Sequence, residues 1–175
     1  MNLKKYIRSI PNYPKKGILF RDITTLIEDK KAFQFVIKQM QKISQKIPHT
    51  KIAAIEARGF VFAAALAYVN NKPLILLRKK NKLPAAKISQ SFKLEYGTST
   101  MQVHKSSLNK KDKVIIIDDL IATGGTALAA AKLIEKCKAK VSAFLFLIDL
   151  FDLPGNKKLQ AKGYKTYKLI DFPGH

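Results

Sequence analysis

At 175 residues, 47% of them hydrophobic, the chain is long enough for one domain with a real core and too apolar to be a disordered one. Its formal net charge of +21 points toward anionic partners, and no apolar run approaches the ~20 residues that a membrane span needs. The one cysteine, Cys137, excludes an internal disulfide and fits a reducing, cytoplasmic setting.

The first 17 residues, MNLKKYIRSIPNYPKKG, are basic and lack the apolar stretch of a secretory signal. The spacing of apolar residues predicts a helix over 33–47. A short buried strand follows over 51–57, then a helix over 58–71 that opens at a glycine turn and ends at Asn70 and Asn71. Pro73 opens a strand over 73–78. From 79 to 105 the alternation breaks into a polar, basic stretch carrying Pro84 and Gly97, in which 86–92 and 98–104 can pair as a hairpin. Such an insertion is either a flap over a site or an inert surface excursion. A strand over 113–119, a helix over 126–137, a strand over 140–150 and a last strand over 163–172, at an edge, complete the chain. There is no internal repeat. Strands alternating with helices predict an α/β domain with a mainly parallel central sheet covered by helices on both faces.

The 33 basic residues are 29 lysines and four arginines. Lysine spread from end to end reads as a solvated surface, because a dedicated nucleic-acid face uses more arginine and aromatic stacking. No membrane and no specific nucleic acid is therefore expected as a partner. Arg21 in GILFRDIT, Arg58 in IEARGFVF and Arg78 in LILLRKK keep the planar fork, which suits bidentate contact with phosphate or carboxylate.

Chemistry concentrates in KVIIIDDLIATGGTALAAAK, residues 113–132. Asp118 and Asp119 stand at the carboxyl end of a strand, where open α/β sheets bind ligands. Ala122, Thr123, Gly124, Gly125 and Thr126 follow and open a helix. A helix N-terminus offers free N–H groups and partial positive charge, the glycines allow close approach, and the threonines add hydroxyls, so the loop suits one phosphate. Neither GxxxxGK[ST] nor GxGxxG is present. Carboxylates accept hydrogen bonds from vicinal sugar hydroxyls and stabilise positive charge on a sugar ring, so the array fits a ribose 5-phosphate. No second histidine or cysteine lies at metal-ligand spacing from His49 or His104, both expected at the surface, and the terminal His175 is given no role.

The stretch VIIIDDLIATGGT resembles the phosphoribosyl pyrophosphate signature of type I phosphoribosyltransferases. IRSIPNYPKKGILFRDITTLI, IEARGFVFAAALA, LLRKKNKLPAAK, LEYGTSTMQVH and LFLIDL resemble the adenine-using branch of that family, in the same order, from Ile7 to Leu150. The resemblance implies the type I phosphoribosyltransferase fold in a single domain over 1–175, with an N-terminal hood over about 1–30 and a flexible flap over about 79–105. It implies transfer of the 5-phosphoribosyl group from phosphoribosyl pyrophosphate to adenine, giving AMP and pyrophosphate, by a cytoplasmic homodimer. Magnesium would come bound with phosphoribosyl pyrophosphate, without a metal site of the protein's own.

By position, the resemblance gives the 5-phosphate to Ala122, Thr123, Gly124, Gly125 and Thr126. Asp118 and Asp119 would face the ribose hydroxyls and the nascent oxocarbenium. Arg58, Arg78, Lys79 and Lys82 would neutralise pyrophosphate, with Arg78 reaching toward the partner subunit's site. Glu95 would be the acid/base group near the adenine imidazole nitrogens, with Tyr96 beside it. Leu19, Phe20, Arg21 and Leu150 would line the adenine pocket, Phe20 by stacking. Other roles stay open at this stage: Phe20 and Leu150 as core, Arg21 as a brace for Asp22 or Glu56, Glu95 as a solvated charge, and Glu56 as the holder of a turn. Asn81, Ala85 and Ala64 stand where the family commonly has glycine, which would stiffen the flap. Two other functions also stay open, a regulatory protein on this fold that binds a purine precursor or RNA, and an enzyme that uses another purine. An intact Glu95 and no appended DNA-binding segment count against the first.

Overall fold

A computed structural model describes residues 1–93 and 97–174. After a 3-10 turn over Leu3–Tyr6 come β1 (Arg8–Pro11) and β2 (Leu19–Asp22), paired antiparallel as a separate ribbon with Arg8 opposite Asp22. Two helices follow, α1 (Thr24–Glu28) and α2 (Lys30–Ser44). The central sheet then forms from β3 (Lys51–Ile55), β4 (Leu74–Lys79), β5 (Lys87–Lys93), β6 (Thr98–His104), β7 (Lys113–Ile121), β8 (Lys140–Leu150) and β9 (Thr166–Phe172). Between them lie α3 (Gly59–Val69), α4 (Gly125–Lys136) and α5 (Gly155–Ala161). Strand order is β5-β6-β4-β3-β7-β8-β9. The five strands from β4 to β9 in that order run parallel, and the β5–β6 hairpin joins β4 antiparallel.

β7 shows why this sheet forms. Val114, Ile115, Ile116 and Ile117 are fully buried, the continuous apolar run of a parallel strand covered on both faces. Their side chains alternate between two cores. Ile115 and Ile117 meet Met40, Phe62 and Leu66 from α2 and α3, while Val114 and Ile116 meet Ala127, Ala130 and Ile134 from α4. The second core also holds the stacked rings of Phe144 and Phe146 and the one thiol, Cys137, which is buried.

Several boundaries differ from the sequence expectation for local reasons. α2 starts three residues before Phe33, because the Asp29 carboxylate accepts the Ala32 N–H at 2.8 Å and caps the helix there. β3 stops at Ile55, and Glu56 turns the chain by accepting from the Lys79 N–H at 2.7 Å. β9 begins at Thr166 rather than at residue 163, since Gly163, at φ +82°, ends the preceding turn. The hairpin forms with its first strand one residue later than expected, at Lys87–Lys93, and its second at Thr98–His104; the 140–150 strand forms as expected, and β9 lies at an edge. The β1–β2 ribbon, α1 and α5 carry no apolar period that the sequence reading could detect. His49 and His104, expected at the surface, are half-buried.

Asn81, where glycine is common, adopts φ +66° and donates its N–H to the Gln102 side-chain oxygen at 3.0 Å. Asparagine tolerates that left-handed backbone, so the turn keeps a shape that glycine would adopt freely.

Candidate active site

The carboxyl ends of β3 and β7 open onto a cavity of about 260 Å³ lined by Glu56, Arg58, Asp118 and Asp119, and by the loop from Ala122 through Thr126. The loop turns at Gly124, whose φ of +82° favours glycine. No side chain caps α4, so its first-turn N–H groups stay available to a ligand at the positive end of a 12-residue helix. The five residues of the predicted phosphate loop therefore sit together against both acids.

Asp119 is buried and Asp118 half-buried. The Asp119 N–H donates to Asp118 Oδ1 at 2.9 Å. Burial pushes the Asp118 carboxyl well above its usual range, and the neighbouring Asp119 charge pushes it further. Burial raises Asp119 too, against the opposing charge of Arg58. Arg58 Nε lies 3.0 Å from Asp119 Oδ2, close enough for an ion pair but not aligned as a hydrogen bond, and that oxygen has no hydrogen-bond partner among the described residues. The pair thus holds acceptor capacity that the described residues leave unmet, with Arg58 as the cation beside it.

A second cavity of about 290 Å³ adjoins the first and shares Arg58, Leu120, Ala122 and Thr123 with it. Its remaining walls include Leu19, Phe20, Arg21 and Leu150, the four described residues expected around adenine. The Phe20 ring is half-buried, with the Tyr13 ring edge-on at 5.1 Å and the Arg58 guanidinium over it at 5.1 Å. Arg21 is buried, donates to the Ser9 hydroxyl and to the Pro173 carbonyl at 2.7 Å, and lies over the Phe172 ring. It braces neither Asp22, which pairs with Arg8, nor Glu56, which pairs with Arg78. Leu153 and Gly174 also line this cavity, brought there only by the return of the chain after β8 and β9, and Leu120 lines it from β7 beside the acids.

Arg78, Lys79 and Lys82 are not among the residues lining the cavity of the acids. Arg78 Nε bonds Glu56 Oε2 at 3.0 Å, which makes Glu56 the holder of its turn, and the Arg78 guanidinium lies over the Phe60 ring. Lys79 borders a separate, mostly apolar cavity beneath the β5–β6 hairpin, and Lys82 is exposed. Glu95, Tyr96 and His175 lie outside the described residues.

Residues 23–173 match the phosphoribosyl transferase domain family. The chain is 63% identical to the adenine phosphoribosyltransferase of Pelagibacter ubique over 175 residues, the full length of both. It superposes with a TM-score of 0.93 on the crystal structure of adenine phosphoribosyltransferase from Thermoanaerobacter pseudethanolicus, at 45% identity over 97% of this chain and 98% of that one. The enzyme of Giardia lamblia, crystallised with 9-deazaadenine, superposes with the same TM-score at 32% identity, over 98% of this chain and 96% of that one.

Proposed function

We infer how this chain works from the premise that it belongs to the phosphoribosyltransferase family. It transfers the 5-phosphoribosyl group from phosphoribosyl pyrophosphate to adenine, giving AMP and pyrophosphate. The observation that carries the division of labour is the pair of adjoining cavities. One is polar, with two underbonded acids beside a helix N-terminus. The other is apolar, with an aromatic ring, and the two share one wall.

In this reading the loop from Ala122 through Thr126 holds the 5-phosphate on its N–H groups and hydroxyls. Asp118 and Asp119 face the ribose. As the C1–O bond to pyrophosphate breaks, C1 becomes cationic, and the two desolvated carboxylates offer negative charge fixed in place beforehand. Adenine lies between Phe20 and Leu150, and its N9 attacks C1. The proton on the base passes to Glu95, with Tyr96 beside it. Arg58 leaves Asp119 to meet pyrophosphate, and the segment over about 79–105 closes as a flap that excludes water and brings Arg78, Lys79 and Lys82 to the leaving group. Residues 1–30 form the hood over the base.

Among the described residues no group of three or more His, Cys, Asp or Glu could hold a metal ion alone. Two carboxylates with an orphaned oxygen instead fit magnesium that arrives with phosphoribosyl pyrophosphate and keeps its other ligands from phosphates and water, so Asp118 and Asp119 are the residues that would hold it. Bound there, magnesium would supply positive charge against that of the leaving pyrophosphate.

A homodimer in the cytoplasm fits the same picture. α3 has no charged residue between Gly59 and Val69, yet Val61 and Tyr68 are exposed, Tyr68 by 87%. A second copy of the chain would cover them and place Arg78 near the partner subunit's site. Among the described residues no helix is long and apolar enough to cross a membrane.

Incubation with phosphoribosyl pyrophosphate, magnesium and labelled adenine, hypoxanthine or guanine tests the assignment. AMP should form far faster than either other nucleotide. Equal rates for the three bases would remove the base-selective role given to the apolar cavity.

A further inference from the structure

The phosphate loop is not held by its own strand and helix alone. After β8 the chain turns and starts α5 directly against it. Gly155 N–H donates to the Ala122 carbonyl at 2.9 Å, and Lys158 Nζ donates to the Thr123 carbonyl at 3.3 Å. The two backbones touch without side chains between them. A methyl group at Gly155 would overlap the Ala122 carbonyl oxygen and come within 2.8 Å of Gly124 N and of the Ile121 side chain. A methyl group at Gly124 would come within 2.9 Å of Gly155 Cα. α5 is itself fastened from below. Asn156 Nδ2 donates to the buried Asp149 of β8 at 2.6 Å, and the Thr166 hydroxyl of β9 donates to Asn156 Oδ1 at 2.6 Å.

The segment that leads into α5 also builds the apolar cavity. Leu150 and Leu153 line it, and the Leu153 N–H donates to the Leu150 carbonyl at 2.9 Å. One short stretch of chain, from Leu150 to Lys158, therefore lines the apolar cavity and holds the loop that lines the cavity of the acids.

We propose that Gly155 is a positioning residue for the phosphoribosyl substrate: its lack of a side chain lets the first turn of α5 clamp the phosphate loop at Ala122 and Gly124 in the shape that receives the 5-phosphate. This rests on the assignment of that loop to the 5-phosphate. A displaced loop weakens a contact made equally in the ground state and the transition state, so the loss falls on KM for phosphoribosyl pyrophosphate. A purely structural role would instead reduce the active fraction and lower kcat at unchanged KM.

The test is steady-state AMP formation by the full chain, with ribose 5-phosphate affinity measured by calorimetry. Gly155→Ala should raise KM for phosphoribosyl pyrophosphate and weaken ribose 5-phosphate by about tenfold or more, with kcat within a few-fold of wild type. Lys158→Met, at an exposed position that leaves the packing intact, should raise the same KM about threefold through its lost hydrogen bond, and it decides the matter if Gly155→Ala does not fold. Lys157→Met removes the same charge one residue away and should change neither constant. Unchanged KM and ribose 5-phosphate affinity in Gly155→Ala, or in Lys158→Met where only that variant folds, overturns the proposal, whether or not kcat falls. If wild type forms no AMP, the functional reading fails, and the calorimetry alone still decides whether α5 positions the loop.

Discussion

The two ends of β7 both meet buried acids, and the protein treats them in opposite ways. At the amino-terminal end, Asp112 accepts from the Asn109 N–H at 2.8 Å, the Lys51 ammonium at 3.1 Å and the Thr50 hydroxyl at 3.2 Å. Burial works against its charge, yet these donors outweigh burial and hold its carboxyl below the usual range. At the carboxyl-terminal end, burial of Asp118 and Asp119 wins, and both carboxyls are pushed up. An acid whose oxygens are all bonded within the chain fastens the fold. An acid pair left short of donors, beside a cavity, is arranged for something that the chain does not contain. Composition cannot separate these cases; the count of donors can.

The sharpest way to break the comparison is to remove charge at the functional end. Asp118→Asn with Asp119→Asn should lower turnover by about 100-fold or more, while ribose 5-phosphate binds with losses of only ~1 kcal/mol per missing hydroxyl contact. AMP formation and calorimetry read the two quantities. Equal losses in both would mean that these acids bind the sugar rather than oppose its positive charge, and rescue by excess magnesium would make holding the metal, not opposing that charge, their main part.

The same change at the other end should do the reverse. Asp112→Asn leaves Lys51 without its counter-ion and weakens the tie between Thr50 and β7, at a cost of about 1–3 kcal/mol. For a chain of this size that lowers Tm by roughly 2–4 °C per kcal/mol, with kcat preserved. Loss of turnover matching the acid-pair variant would erase the distinction between the two ends.

A smaller effect lies in pH. The Asp118 and Asp119 carboxyls are raised in the folded state, so the native chain binds protons there more tightly than the unfolded chain does, and their penalty is present above the folded pKa. Urea denaturation should find Asp118→Asn with Asp119→Asn more stable than wild type at pH 8, with the gap closing as pH falls toward the unfolded value near about 4. Asp112 has the opposite sign. Its contribution is present above the unfolded pKa and is lost as pH falls through the lowered folded one, so Asp112→Asn should trail wild type at pH 8 and approach it only in strong acid. Parallel pH profiles for the two variants would contradict the assignment of states.

The smallest effect concerns charge away from both ends. Random-sequence RNA should bind the lysine-rich surface weakly and dissociate as salt is added. A complex with one sequence that survives moderate salt would give that surface a use of its own.

Much of this was legible in the residues. The apolar runs of β7 and β8 and the polar break that became the β5–β6 hairpin announce themselves through period and length. The acids, the glycine turn and α4 are contiguous, so their geometry follows from one strand–loop–helix unit. What the sequence hid is what depends on distant chain. The state of Asp112 is set by the nearby Asn109 N–H and also by Lys51 and Thr50, some sixty residues earlier, and nothing beside Asp112 in the sequence announces that distant pair. The contact of Arg58 with Asp119 joins the ends of two strands some sixty residues apart in the chain. α5 is seven residues long with Leu159 as its one large buried side chain, too short for a period, and its meeting with Gly124 is made of backbone.

Cys137, packed in the core beneath α4, has a consequence for measurement. The residue is 7% exposed, and burial pushes its thiol pKa up, so alkylating reagents meet little reactive sulfur on the native chain. The molecule therefore starts out nearly silent to thiol chemistry. One cysteine placed at exposed Lys80 and another at exposed Lys16 could each take a spectroscopic tag, with no reactive native thiol to engineer away first. The separation of the 79–105 segment from residues 1–30 then becomes a distance that an optical ruler can follow while adenine arrives and AMP departs.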